Sequence, residues 1–271
     1  IFYTLEDEPE DDVALEILDR DGAVLRRYSS RPSGRKPTKP AFGAPIDPVV
    51  PKKKGMNRFV WNLTYPGPNL TDDALMYIGY SGGPVAVPGT YQAKLSYGEF
   101  SASASFELLK DPRVATTLAD YQEQFKLLVQ IRDKLTLTHD AIRSIRDIRQ
   151  QVQALSKRLV EAGQGEDVET AAGALEGELT RLENELIQTQ NEAHQDPINF
   201  PPRLDTRFGF LYGYVHRLNG KPTEGAYHRF NDLKPRLAEK LARYQGVKEN
   251  ELAAFNALVR EKGVLPVIVG R

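Results

Sequence analysis

The chain has 271 residues, 40% of them hydrophobic, and its 36 lysines and arginines against 37 aspartates and glutamates leave a net charge of -1. That length suits two ordinary domains, and the near-neutral balance supplies no field to gather nucleic acid or anionic lipid, so no nucleic-acid partner is expected. With no cysteine in the chain, disulfides, thiol nucleophiles and thiolate metal ligands are excluded together.

No apolar run approaches the roughly 20 residues of a membrane-spanning helix, so no transmembrane segment is expected. The opening 1-IFYTLEDEPEDD-12 is charged and aromatic and does not read as a signal peptide. It begins at Ile1 and reads as a strand from the start, which suggests a processed product or a piece of a longer chain with any targeting segment upstream.

Up to about Asp111-Pro112 the texture is of short alternating runs broken by turn signals. Val13, Leu15 and Ile17 alternate with polar neighbours as a half-buried strand does. The sequence 19-DRDG-22 then reverses the chain into Ala23 to Tyr28, because Asp-Gly supplies the positive φ of a tight hairpin. Residues 29 to 54, rich in proline, lysine and arginine, read as a long loop. A strand from Asn57 to Leu63 follows, with Phe59, Trp61 and Leu63 on one face as core. A second loop, 64 to 87, carries Tyr65, Tyr77 and Tyr80, and its 82-GGP-84 reads as a turn with no helix behind it to present amides to a phosphate. In the last hairpin, 88-PGTYQAKLSYGEFSASASFELL-109, Tyr91, Ala93 and Leu95 alternate before a turn at Tyr97-Gly98. Short strands at this spacing predict a β-sandwich over residues 1-110.

Beyond that boundary the apolar period becomes helical. From Leu118 to Leu159 apolar residues recur in steps of three and four, faltering only around Thr136 to Thr138. With no proline or glycine between Arg113 and Gly163, one helix of roughly 44 residues, about 65 Å long, is the simplest reading. Stripes at Val168 to Leu186, Leu204 to Leu218 and Tyr227 to Tyr244 follow, the last with Pro235 expected to break or kink it. A short helix, Glu251 to Lys262, precedes 264-VLPVIV-269, which reads as a terminal strand pairing with Ile1 to Leu5 or with a further domain. The expected fold is α+β and multidomain: a sandwich (1-110), an antiparallel helical bundle with one very long helix (111-262), and a C-terminal strand or tail (263-271).

Candidate chemistry is sparse. The histidines at 139, 194, 216 and 228 are scattered with no ligand spacing, which predicts surface or helix-face positions and no metal site. No nucleophile elbow, dinucleotide fingerprint or Walker loop occurs. The acidic residues fall mainly on solvent faces rather than as two carboxylates across a cleft. Asn62-Leu63-Thr64 and Asn69-Leu70-Thr71 fit the glycosylation pattern, which chance explains. Arg132, Arg143, Arg146 and Arg149 among Asp133, Asp140 and Asp147 read as intrahelical ion pairs. In 208-FGFLYGYVHRL-218, Phe210, Tyr212 and Tyr214 turn partly away from the stripe, and tight packing is favoured over a partner surface. No catalytic residue, metal ligand or cofactor site is assigned.

The segments 13-VALEILDRDGAVLRR-27, 55-GMNRFVWNLTYPGP-68 and 88-PGTYQAKLSYG-98 resemble the Ig-like sandwich at the C-terminal side of large bacterial sortilin-type, Asp-box β-propeller proteins, commonly labelled glycosyl hydrolases. A more distant resemblance is to the Ig-like domain of flagellar hook-capping proteins. In the helical half, 121-YQEQFKLLVQIRDKLTLTHDAIRSIRDIRQQV-152, 196-DPINFPPRLDTRFGFLYGYV-215 and 254-AFNALVREKGVLPVIV-269 resemble the same family. The resemblance implies an exported protein, in the periplasm or secreted, whose activity resides in an upstream propeller. No Asp-box repeat is present here, so the expected role is a non-catalytic scaffold docking that propeller or another subunit. The alternatives are a carbohydrate-binding module that stacks sugar on Tyr65, Tyr77 and Tyr80, and a hydrolase whose site forms only when propeller and C-terminal region meet.

Overall fold

A computed structural model describes residues 1–32, 48–75, 79, 82–163, 165–193 and 195–269. The fold is mixed α and β. Its strands are β1 (Phe2–Leu5), β2 (Ala14–Asp19), β3 (Val24–Ser29), β4 (Gly55–Arg58), β5 (Gly89–Tyr97) and β6 (Phe100–Leu108), and its helices are α1 (Leu118–Glu161), α2 (Glu166–Leu186), α3 (Leu204–His216), α4 (Glu224–Glu249) and α5 (Glu251–Glu261). The chain divides into two compact units, each assembled from separate stretches. The first holds Ile1–Pro68, Tyr80–Arg132 and Gly213–Thr223; the second holds Asn69–Gly79, Asp133–Tyr212 and Glu224–Arg271.

In the first unit, β3-β2-β5-β6 form one antiparallel sheet and β1-β4 a second. Gly22 and Gly98 take positive φ at the two hairpin turns, where the sequence calls for them. At the first turn the Asp19 side chain accepts the amides of Asp21 and Ala23 at 3.0 and 2.8 Å, which fixes the reversal. Alternation in β2 and β5 sends Leu15, Ile17, Tyr91, Ala93 and Leu95 into one apolar cluster with Leu5, Tyr28, Phe59 and Trp61.

The strand expected from Asn57 to Leu63 stops at Arg58. One further ladder bond, from the Phe59 amide to the Ile1 carbonyl at 2.9 Å, continues the pairing, and then Leu63 turns into the left-handed region at φ 58. Alternation survives without the strand: Phe59 and Trp61 are buried while Val60 is exposed. Just after 82-GGP-84 the chain bridges Thr64 with Val85, Tyr65 donating to the Pro84 carbonyl and Ala86 to that of Leu63. A Cβ on Gly83 would collide with the Tyr65 carbonyl, so only glycine admits this approach.

The long helix forms as one element of 44 residues, those from Asp133 onward belonging to the second unit. Ile142, Ile145, Ile148, Val152, Leu155 and Leu159 of α1 are buried, as are Val168, Ala172, Leu175, Leu179, Leu182 and Leu186 of α2. Packing of α2, α4 and α5 on one another completes the helical layers. Pro235 does not break α4, which runs through it. The carbonyl that loses its partner belongs to Asn231, an exposed residue. The C-terminal run is not a strand: β1 pairs with β4. Two carboxamides hold the tail by its backbone instead, Gln151 exchanging two bonds with Ile268 and Asn256 two with Val267.

Candidate functional site

Trp61 lies inside the first unit, 7% exposed, edge-on to Tyr91 and Phe106 with centroids 5.7 and 6.1 Å away. Its indole N–H donates to the Thr64 carbonyl at 3.3 Å, the partner a buried indole needs. Phe59 and Tyr91 are buried with it, and Leu63 packs partly buried against them.

Tyr65 is tied down rather than free to stack on a ligand. Its ring meets Phe125 edge-on at 4.7 Å, and its hydroxyl bonds to that of Tyr91, which donates to the Val87 carbonyl at 2.6 Å. Burial, with the neighbouring Tyr91 and Asp19, pushes the Tyr65 phenol up to about 12. Tyr77 and Tyr80 lie outside the described residues. Of the α3 aromatics, Tyr212 is wholly buried and Phe210 half-buried, while Tyr214 stays exposed with its hydroxyl 3.3 Å from that of Thr223.

The first unit also carries an apolar hollow of about 310 Å³, walled by Val85, Val87, Leu108, Leu109, Phe125 and Leu218 among others. Its rim includes Gln124, whose side-chain amide already serves the Val215 and Leu218 carbonyls. His216, also on the rim, is held below its ordinary pKa by burial and by the Arg217 charge. Leu109 is 73% exposed there.

The densest chemistry lies in the second unit, among residues that the sequence did not single out as a site. His139, on α1, is fully buried rather than surface-facing. The segment 69–75 lies along this part of α1. The Asn69 amide donates to Thr136 Oγ1 at 3.1 Å, and the Asn69 carbonyl accepts from Arg143 at 3.2 Å. The Thr71 amide donates to His139 Nδ1 at 3.3 Å, with the Thr71 hydroxyl 3.2 Å from the same nitrogen. Asp73 pairs with Arg146 at 2.8 Å. Nδ1 is therefore an acceptor, which places the ring proton on Nε2, and Nε2 has no hydrogen-bond partner among the described residues.

Behind this segment the charges interlock. Glu183 of α2, 3% exposed, takes Arg146 on one oxygen at 2.5 Å and Arg149 on the other at 2.6 Å. Arg146 and Arg149 thus pair across helices, not within α1 as their spacing suggests; Arg143 does pair locally, with Asp140. Asp205, in the first turn of α3 and 1% exposed, accepts the amide and hydroxyl of Thr206 at 2.5 and 3.0 Å.

Burial sets the protonation of these groups. It pushes His139 down to about 4, with the Arg143 charge assisting and Asp73 opposing. It pushes the Asp205 carboxyl up to about 7, against the Thr206 bonds and with the Asp73 charge assisting. For Asp73 burial acts upward too, but the hydrogen bond and charge of Arg146, with the Thr71 hydroxyl, outweigh it and hold the carboxyl below its ordinary range. Near pH 6 the cluster thus holds a neutral imidazole and a neutral buried acid beside ionised Asp73. Among the described residues no group of three or more His, Asp or Glu side chains is arranged to hold a metal ion. No described helix is long and apolar enough to cross a membrane.

The only sequence trace of this cluster is the falter in the α1 stripe at Thr136 to Thr138, next to His139. Its other members come from distant segments, and neither spacing nor charge pattern brings them together. The chain matches no protein-family model, no curated protein and no solved structure.

Proposed function

We propose that this chain is a non-catalytic scaffold that fixes the position of a second domain or subunit, an Asp-box β-propeller being the partner that the family resemblance implies. The observation that carries this reading is the fate of the groups best suited to chemistry. His139, Asp205 and Glu183 are buried and bonded to internal neighbours, whereas catalytic groups work at an accessible mouth. Beside the hollow the first unit exposes the apolar side chains of Leu109 and Val85.

Two finer readings belong to the same proposal. The first unit is an Ig-like sandwich, supported by the strand order β3-β2-β5-β6, the second sheet β1-β4 and the buried Trp61 in the shared apolar cluster. The helical unit is an antiparallel bundle acting as a rigid support, and the protein is exported. A carbohydrate platform has less support, since Tyr65 is packed on Phe125 and its hydroxyl is spent on Tyr91.

Calorimetric titration with a separately produced Asp-box β-propeller domain, alongside assays of the chain alone on chromogenic glycosides and peptides, tests the reading. Saturable binding is expected, weakened at least about tenfold when Leu109→Asp places a charge on the apolar rim, an unpaired buried charge costing more than one decade of affinity. Turnover by the isolated chain, or no heat of binding, overturns it.

A further inference from the structure

We propose that residues 69–75 form an acid-released strap, detaching from α1 around Thr71 when the His139 ring takes up a second proton. The geometry makes the contact conditional on a neutral ring. The strap is clipped to α1 at three points, Asn69 on Thr136 and Arg143, Thr71 on His139, and Asp73 on Arg146. At the middle clip Nδ1 accepts the Thr71 amide, so a proton on Nδ1 would face that N–H, have only the Thr71 hydroxyl oxygen to donate to, and leave the buried amide without an acceptor. The imidazolium would also sit sealed from water, its Nε2–H having no partner among the described residues.

Among the described residues the charges nearest the ring act mainly against its protonation. Arg143 and Arg146 on α1 repel the added charge, and both remain cationic throughout. Asp73 on the strap attracts it but is already engaged with Arg146. Glu183 on α2 is shared between Arg146 and Arg149. Asp205 on α3 stays protonated below about 7 and supplies no compensating charge. In acid the ring therefore gains its proton most readily with the strap lifted, where water reaches it and burial no longer opposes the charge, its pKa moving back toward the ordinary 6.5.

The strap-open population then grows about tenfold for each pH unit between 6.5 and 4, on the order of a hundredfold in all. The clips at Asn69 and Asp73 do not titrate in that window, so the opening is centred on Thr71.

Hydrogen exchange, corrected for the intrinsic pH dependence of each amide, reads this directly. Between pH 6.5 and 4.5 the strap amides should lose protection about tenfold per unit, while the α1 amides from Ile142 to Ile148 keep theirs. His139→Asn, which retains a carbonyl acceptor but does not titrate, should make strap protection independent of pH. Asp73→Asn should loosen the strap at every pH without changing the slope. Equal slopes in wild type and His139→Asn overturn the proposal. If His139→Asn does not fold, NMR titration of the wild-type ring decides, since a ring that gains its proton while the Thr71 amide stays protected is equally fatal.

Discussion

Glu183 illustrates how one side chain can hold a polar interior together. Its two oxygens each take a guanidinium, from Arg146 and Arg149, and Arg146 extends the chain of charge to Asp73. A buried pair of this kind contributes little against an apolar replacement of the whole set, but removing one member leaves charges without partners. Glu183→Ala leaves Arg149 without a carboxylate and Arg146 with Asp73 alone, both guanidiniums keeping only a quarter to a third of their side-chain surface in water. The expected cost is about 2 to 3 kcal/mol, toward the low end for broken buried pairs because both arginines retain some solvent. Urea denaturation followed by the helix signal measures it; a loss within about 0.5 kcal/mol of zero, the range of ordinary surface substitutions, would mean that the network is idle.

At the scale of elements, α1 and α4 show what a sequence reveals and what it conceals. The length of α1 was legible because nothing between Arg113 and Gly163 can stop a helix, and its buried stripe because steps of three and four leave one face apolar. Trp61 lies in the apolar cluster, as the alternation of Phe59, Trp61 and Leu63 suggests, although the strand expected there ends at Arg58. The polar cluster was not legible, since Thr71 and His139 stand 68 positions apart and Asp73 and Arg146 stand 73 apart. No local rule connects such residues, and the interrupted stripe at Thr136 to Thr138 says only that something polar is buried nearby. Pro235 misleads in the opposite sense. It stands in the middle of α4 on the solvent side, where a missing hydrogen bond is tolerated but still costs free energy. Pro235→Ala returns an amide to the Asn231 carbonyl and removes the ring from the preceding turn. It should stabilise the helical unit by about 1 to 3 kcal/mol, read as a higher urea midpoint at unchanged slope. A destabilised variant would show that the proline ring makes a contact worth more than the helix bond it forfeits.

On the scale of the whole molecule, His139 and Asp205 make opposite demands on pH. The folded pKa of His139 is depressed to about 4, so between there and the unfolded value of 6.5 the unfolded chain binds one proton more than the folded one. Stability from this group rises with pH across that window by about 1.4 kcal/mol per unit. For Asp205 the folded pKa is raised from 3.8 to about 7, so over nearly the same window the folded protein holds the extra proton. Its contribution falls as pH rises, with the same slope. The two oppose each other, so their joint contribution to stability should be nearly flat from about pH 4 to 6.5 even as the strap loosens. Asp205→Asn removes one term, so stability should climb by about 1.4 kcal/mol per unit from pH 4 to 6.5; His139→Asn should reverse the sign of that slope. Denaturation series at half-unit intervals, read by helix ellipticity, separate the cases. If both variants remain as flat as the wild type, neither group titrates differently in the folded and unfolded states, and the assignment of a neutral buried imidazole and a neutral buried acid is wrong. If the two slopes appear with their predicted signs, a molecule in which these two contributions oppose each other carries one segment whose attachment depends on acid, because the strap exposes His139 alone while unfolding exposes both.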